Sequence, residues 1–262
     1  MSERGQELFH LRQGGLPLVV SIPHAGTFVP DDIVERLTPV GRAVVDTDWH
    51  VDKLYGFLEQ LDVTVLAATH SRTVVDLNRS PQGGKLYPGQ TETGICPTES
   101  FAGEALYEGA PPDPAEIAGR VAAYWQPYHD ALAAQIARLR EKHGWVRVLD
   151  GHSIRAEVPR LFDGALPDLN FGTNDGAACE AWLAARVVES AGDTFSKVLN
   201  GRFKGGFITR HYGVPSAGVQ AVQLEMAQRI YMDEGQPEGF DGERTAGLIE
   251  VLRRVVGALV AR

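Results

Sequence analysis

The runs LVVSI (Leu18–Ile22) and VRVL (Val146–Leu149) are apolar almost from end to end. A strand with one wet face alternates apolar and polar residues, so a near-continuous β-branched run marks a central strand covered on both faces. VTVLAA (63–68) and VQAVQLEM (219–226) read as two further strands. Between and after them lie longer segments with helical spacing. VDKLYGFLEQL (51–61) places Leu54, Phe57, Leu58 and Leu61 at helical intervals. The stretch 113–144 opens with Asp113 as N-cap and Pro114 at the first helical position, and Gly144 is its stop. Its apolar face runs through Ile117, Val121, Tyr124, Tyr128, Leu132, Ile136 and Leu139. Pro127 lacks an N–H and crowds the preceding turn, which predicts a kink near 125–128. Segments 176–191 and 243–262 are the remaining helices. Strands alternating with helices bury both sheet faces only in layers, so the expected fold class is an α/β sandwich with a mixed, largely parallel central sheet.

No repeat or clean linker divides the chain, so residues 1–262 are expected to form one domain. Two Gly- and Pro-rich loops, about 79–112 and 159–174, are longer than ordinary connections, and such loops often serve a site. A net charge of −9 argues against nucleic acid as a partner, because neutralising phosphates needs a basic surface. It leaves room for a small anionic ligand in a local arginine cluster. Cys96 and Cys179 are the two cysteines and lie far apart, no disulfide framework. The first residues lack an apolar signal core and no run approaches membrane-span length, so the expectation is a cytoplasmic protein.

Ligands of open α/β sheets bind beyond the carboxyl ends of the strands. His24 and His152 both fall just past an expected strand end, and on neighbouring strands their imidazoles would converge. Two histidines at one point suit a metal, with a carboxylate or another histidine as third ligand. DTDWHVDKLY offers Asp46, Asp48, His50 and Asp52 for that place, although Asp48 or Asp52 would serve equally well at a helix start. THSRTVVDLNRS (69–80) carries Arg72, Asn78 and Arg79, a set suited to carboxylates and carbonyl oxygens; surface arginines paired with Asp76 are the plainer alternative. Arg202 and Arg210 add cations to a glycine-rich stretch that reads otherwise as a solvent loop. On VQLEM, Gln223 and Glu225 share one strand face, and Glu225 is either a solvated edge residue or a general base. His129, near Pro127, is a substrate contact or a satisfied histidine packed on the sheet.

SIPHAG, DTDWHVDKLYGFL, HSRTVVDLNRSP, WQPYHDAL, VLDGHSI, PRLFDGALPDLNFGT, RFKGGFITRHYG and VQLEMAQRIYMDE occur in that order from about Pro17 to about Glu234. As an ordered set they resemble the N-formylglutamate amidohydrolase family of histidine degradation. The resemblance implies a three-layer α/β/α, phosphorylase/hydrolase-like fold related to zinc carboxypeptidases and aspartoacylases. It implies hydrolysis of N-formyl-L-glutamate to L-glutamate and formate, with one zinc or another divalent ion. By that resemblance His24, Asp48 and His152 are the metal ligands, with Asp46 the alternative to Asp48. Zinc carboxypeptidases and aspartoacylases have glutamate three residues after the first histidine; here that position is Thr27, so the carboxylate must come from elsewhere. Glu225 is similar to the family's catalytic glutamate, and Arg72 would stabilise the oxyanion. Asn78, Arg79, Arg202, Arg210 and His129 would bind substrate, the arginines through its carboxylates. A carboxylate behind His24 or His152 is expected, unnamed, and Asp150, two residues from His152, could orient it only through the fold. The competing readings are an amidohydrolase for another N-acyl or N-formimino acidic amino acid, and a metal-free binding protein.

Overall fold

The computed structural model describes residues 7–84, 86, 89 and 91–262. The reading of residues 1–6, and of 85, 87, 88 and 90 in the first long loop, falls outside them. The strands are β1 (Phe9–Arg12), β2 (Leu18–Ile22), β3 (Thr64–Ala68), β4 (Val146–Ile154), β5 (Leu169–Gly172), β6 (Lys197–Leu199) and β7 (Val219–Ala227). They form one sheet in the order β1-β3-β2-β4-β7-β5-β6. The central four, β3, β2, β4 and β7, are parallel to their neighbours; β1 joins β3 and β5 joins β7 antiparallel. This is the expected mixed, largely parallel sheet.

The helices are α1 (Asp31–Val34), α2 (Pro39–Arg42), α3 (Val51–Leu54), α4 (Pro114–Arg120), α5 (Gln126–His143), α6 (Ala181–Ser190), α7 (Phe207–Tyr212) and α8 (Gly242–Val260). They cover both faces of the sheet, and strand alternation decides which residue meets which layer. Leu18, Val20, Leu149, Val222 and Leu224 pack with Leu183 and Val187 of α6 and Leu248, Val251 and Val255 of α8. Val19, Val146, Val148 and Ala221 point the other way, onto Tyr128, Leu132, Ile136 and Leu139 of α5. Both sides of β2 and β4 are therefore dry, which is why their sequences carry so little polar alternation.

Several local expectations change. Residues 51–61 are not one α-helix: α3 ends after one turn and a 3-10 helix, Gly56–Gln60, follows. Gly56 weakens an α-helix at that point, and the tighter turn takes over. Instead of a sharp kink at Pro127, a π-helical turn spans Val121–Trp125 in a helical run that continues into α5, and this wider turn stands just before the proline. The helix expected from 176 begins only at Ala181, since Asn174, Asp175 and Gly176 all have positive φ. The second long loop contains β5, and the glycine-rich stretch around Arg210 contains α7.

The change that matters most concerns β4. The strand does not stop at Leu149 but runs through DGHSI to Ile154, buried along its whole length. Its ladder with β7 is unbroken from Val146↔Val219 to Ile154↔Ala227, with Asp150 opposite Gln223 and His152 opposite Glu225. Pairing with β2 ends earlier, at Ser21↔Asp150. The two strands thus project past their neighbour. Gly151 suits this extension because a Cβ there would come within 2.9 Å of the Tyr55 ring.

Candidate metal centre and the cavity above it

One sheet face changes character along its length. On β4, Val146 and Val148 belong to the core under α5, and the next residues in the same phase are Asp150 and His152. On β7, Val219 and Ala221 are followed in phase by Gln223 and Glu225. The apolar core under α5 therefore passes into a polar site where β2 has ended. His24, two residues beyond Ile22, turns in from the side, and its ring centroid lies 4.9 Å from that of His152.

His24, Asp48 and His152 form a buried group whose donor atoms all lie within 4.8 Å of one another. Asp48 Oδ2 is 2.9 Å from His152 Nδ1 and 3.7 Å from His24 Nδ1. The turn carrying Asp48 is tied down on every side. Its N–H donates to His24 O at 3.0 Å, and Ser153 N–H donates to its Oδ2 at 3.2 Å. Gln228 Nε2 holds the preceding carbonyl, Thr47 O, at 3.0 Å, and Tyr231 OH holds the following one, Trp49 O, at 2.7 Å.

Each histidine has a second carboxylate behind it. His24 Nε2 donates to Asp76 Oδ1 at 2.8 Å, which leaves the Nδ1 lone pair facing Asp48. His152 Nε2 lies 3.0 Å from Asp150 Oδ1, and Asn78 Nδ2 donates to Asp150 Oδ2 at 2.9 Å. Carboxylates in this position orient imidazole ligands and raise their basicity. Arg72 Nη2 donates to Asp48 Oδ1 at 2.6 Å and also rests against His24 Nδ1. Burial alone would raise the Asp48 carboxyl, yet Arg72 and the two histidines hold it below the usual carboxylate range. Burial would lower His152, but Asp150 and Asp48 take it well above an ordinary histidine. Two imidazoles and one carboxylate match the N and O ligands that a divalent cation takes. In Asp76→Asn, the apparent Kd for Zn2+ should rise by roughly 10- to 100-fold, read by competition against a chromophoric chelator. An unchanged Kd would show that Asp76 does not support the ligand.

The other acids and histidine of the DTDWHVD stretch lie elsewhere. Asp46 accepts Phe101 N–H at 2.8 Å, and burial raises its carboxyl to about 6. His50 caps α3 with positive φ and places Nε2 2.8 Å from Pro237 O, while Asp52 is exposed in the first turn of α3.

Above the cluster opens a small cavity of about 60 Å3. Glu225 lines it beside His152, and burial raises its carboxyl to about 8 against the opposing pull of His152. A cation at the cluster would draw it back toward the ionised form. Arg72, Asn78, Arg79 and Arg202 also line the cavity. Both long loops contribute to its wall, the first through Thr91, Glu92, Thr93 and Phe101, the second through Leu161. Two expected substrate contacts are not there. His129 is buried between Trp125 and Tyr212, with Nε2 2.8 Å from Leu77 O and Nδ1 2.9 Å from Tyr212 OH, so both nitrogens are satisfied away from the cavity. Arg210 does not line the cavity, and its Nε donates to Gly205 O at 2.8 Å. Asp76, Gln223 and Tyr231 are not legible as parts of the site from sequence, and Asp150 is legible only as a residue that could orient His152 through the fold. The signal for Asp150 is its even spacing from His152, which means something only once the strand is known to continue.

A His–Asp–His cluster that could hold a metal thus lies beside a buried glutamate and an arginine at the carboxyl edge of the α/β sheet, an arrangement that suits metal-assisted hydrolysis. The sequence profile for N-formylglutamate amidohydrolase matches residues 16–232. The chain belongs to the N-formylglutamate amidohydrolase family. Two relatives named N-formylglutamate deformylase, from Pseudomonas aeruginosa and Pseudomonas putida, are 46% and 45% identical over 258 residues. Those matches cover 97% of this chain, and 97% and 95% of the relatives. The crystal structure of N-formylglutamate amidohydrolase from Ralstonia eutropha superposes with a TM-score of 0.80 at 28% identity, covering 96% of this chain and 97% of that one. A gene product of Agrobacterium tumefaciens shares the fold, with a TM-score of 0.71 at 19% identity over 97% of this chain and 96% of its own.

Proposed function

We propose that this chain hydrolyses N-formyl-L-glutamate to L-glutamate and formate, as a step of histidine degradation, with a single zinc held by His24, Asp48 and His152. The observation that carries this reading is the placement of Glu225 and Arg72 on the wall of one cavity, directly at the His–Asp–His cluster. A divalent ion bound there supplies Lewis acidity, polarising the formyl carbonyl and acidifying water. Glu225 accepts the proton of the attacking water on a carboxylate oxygen as the C–O bond forms. It returns that proton to the glutamate nitrogen as the C–N bond breaks, and the remaining water proton passes from the formic acid to the amine, so the products are the ammonium form of glutamate and formate. Arg72 faces the charge that develops on the formyl oxygen, a contribution of roughly 3–4 kcal/mol for one well-placed donor. Arg79 and Arg202 supply positive charge for the two carboxylates of a small anionic substrate. The loops carrying Thr91–Thr93 and Leu161 shield such a substrate from water.

No helix among the described residues is long and apolar enough to cross a membrane. Cys96 and Cys179 are buried free thiols, which supports a cytoplasmic setting.

The test is a deacylation panel on zinc-replete protein, using N-formyl-, N-acetyl- and N-formimino-L-glutamate. Formate and glutamate should appear in equal amounts from the formyl substrate, with activity lost on chelation and restored by zinc. Preference for another acyl group would redirect the substrate assignment, and turnover untouched by chelation would end the metal reading.

A further inference from the structure

We propose that Gln223 is a positioning residue that orients the Glu225 carboxylate, with Gly206 N–H setting the direction of its side-chain amide. This rests on the reading of Glu225 as the general base. Gln223 and Glu225 are two residues apart on β7 and face the same cavity. Gly206 N–H donates to Gln223 Oε1 at 2.8 Å. A backbone N–H only donates, so that end of the amide must be its oxygen. The NH2 end then points the other way, 3.4 Å from Glu225 Oε2. That distance is long for a hydrogen bond, as such contacts often are before substrate tightens a site.

Gly206 is itself fixed. A Cβ at this position would lie 2.5 Å from the Asn78 amide, so only glycine permits the approach. Asn78 O accepts Phe207 N–H at 3.1 Å, and Asn78 Oδ1 accepts Ile208 N–H at 2.7 Å. A chain of fixed groups therefore runs from Asn78 through Gly206 and Gln223 to Glu225. With Oε2 engaged, Oε1 is the oxygen left to take and return the proton. A carboxylate held in one rotamer loses no time or entropy in reorienting between those two transfers.

Gln223→Glu separates this role from a purely structural one. The new carboxylate still accepts Gly206 N–H but has no N–H to offer Glu225. It should lower kcat by roughly 10- to 100-fold, with KM and metal content close to wild type. Gln223→Leu should lose at least as much. Placed in a Glu225→Gln background, Gln223→Leu should cost nothing further, because its effect passes through Glu225. Wild-type kcat in Gln223→Glu, or an equal loss from Gln223→Leu in both backgrounds, would overturn the positioning role. Near-normal turnover in Glu225→Gln alone would instead remove the base assignment on which it rests.

Discussion

In Glu225→Gln, kcat should fall by ~10³-fold, within the range of about 10²–10⁴ associated with a positioned acid–base group, while zinc remains stoichiometric. Glutamine keeps the volume and a hydrogen-bonding oxygen for Gln223 but neither accepts nor returns a proton at the relevant atom. The substitution is unlike most at a buried site in that the fold has little reason to suffer. It removes a carboxyl that burial already pushes up to about 8 and so relieves unfavourable desolvation. The assay is single-substrate turnover together with metal analysis of the same sample. Turnover close to wild type in zinc-replete protein would mean that the proton passes through another group.

The second large effect is expected at His152. His152→Ala should emerge from dialysis with little or no zinc, and activity should fall to background. His24 and Asp48 would remain, but two protein ligands rarely hold zinc against a competing chelator. The stability cost is also large. Asp48 and Asp150 are both buried against the His152 ring, and removing it leaves two carboxylates short of their partner. Breaking one side of a buried charged pair costs roughly 3–5 kcal/mol, so thermal unfolding should move down alongside metal loss. Metal analysis on the folded fraction separates the two consequences. Stoichiometric zinc there would show that His152 is not a ligand.

The parts of this molecule that sequence reveals are those where one local pattern has one structural meaning. LVVSI and VRVL are apolar because both faces of β2 and β4 are dry, and nothing else explains such runs so simply. β1, β5 and β6 are short edge or near-edge strands with no such pattern, and pairing rather than composition makes them strands. DGHS reads as a loop because Asp and Gly are poor strand formers, yet the ladder to β7 overrides that preference. His152 reads from sequence as a residue just past a strand end, whereas the structure places it within β4. Between Asp46 and Asp48 the residues themselves offer no choice; family resemblance favours Asp48, and the structure sets Asp48 with the histidines and Asp46 on Phe101 N–H. The arginines show the same limit. Arg72, Arg79 and Arg202 reach the cavity while Arg210 does not, and the difference lies in α7, which sequence leaves as loop. The places of Asp76 and Asp150 behind the two histidines are not legible in sequence, because they depend on which imidazole nitrogen each one faces, a matter of three-dimensional contact alone.

The projection of β4 and β7 beyond β2 makes the centre mechanically lopsided. Asp150, His152, Gln223 and Glu225 ride on a continuous ladder and are released only when the middle of the sheet opens. Asp48, Arg72 and Asp76 sit on buried turns held by individual backbone and side-chain bonds rather than by a ladder. One half of the site therefore behaves as an anvil and the other as a clasp. Amide hydrogens of the strand half should outlast those of the turn half in exchange with solvent.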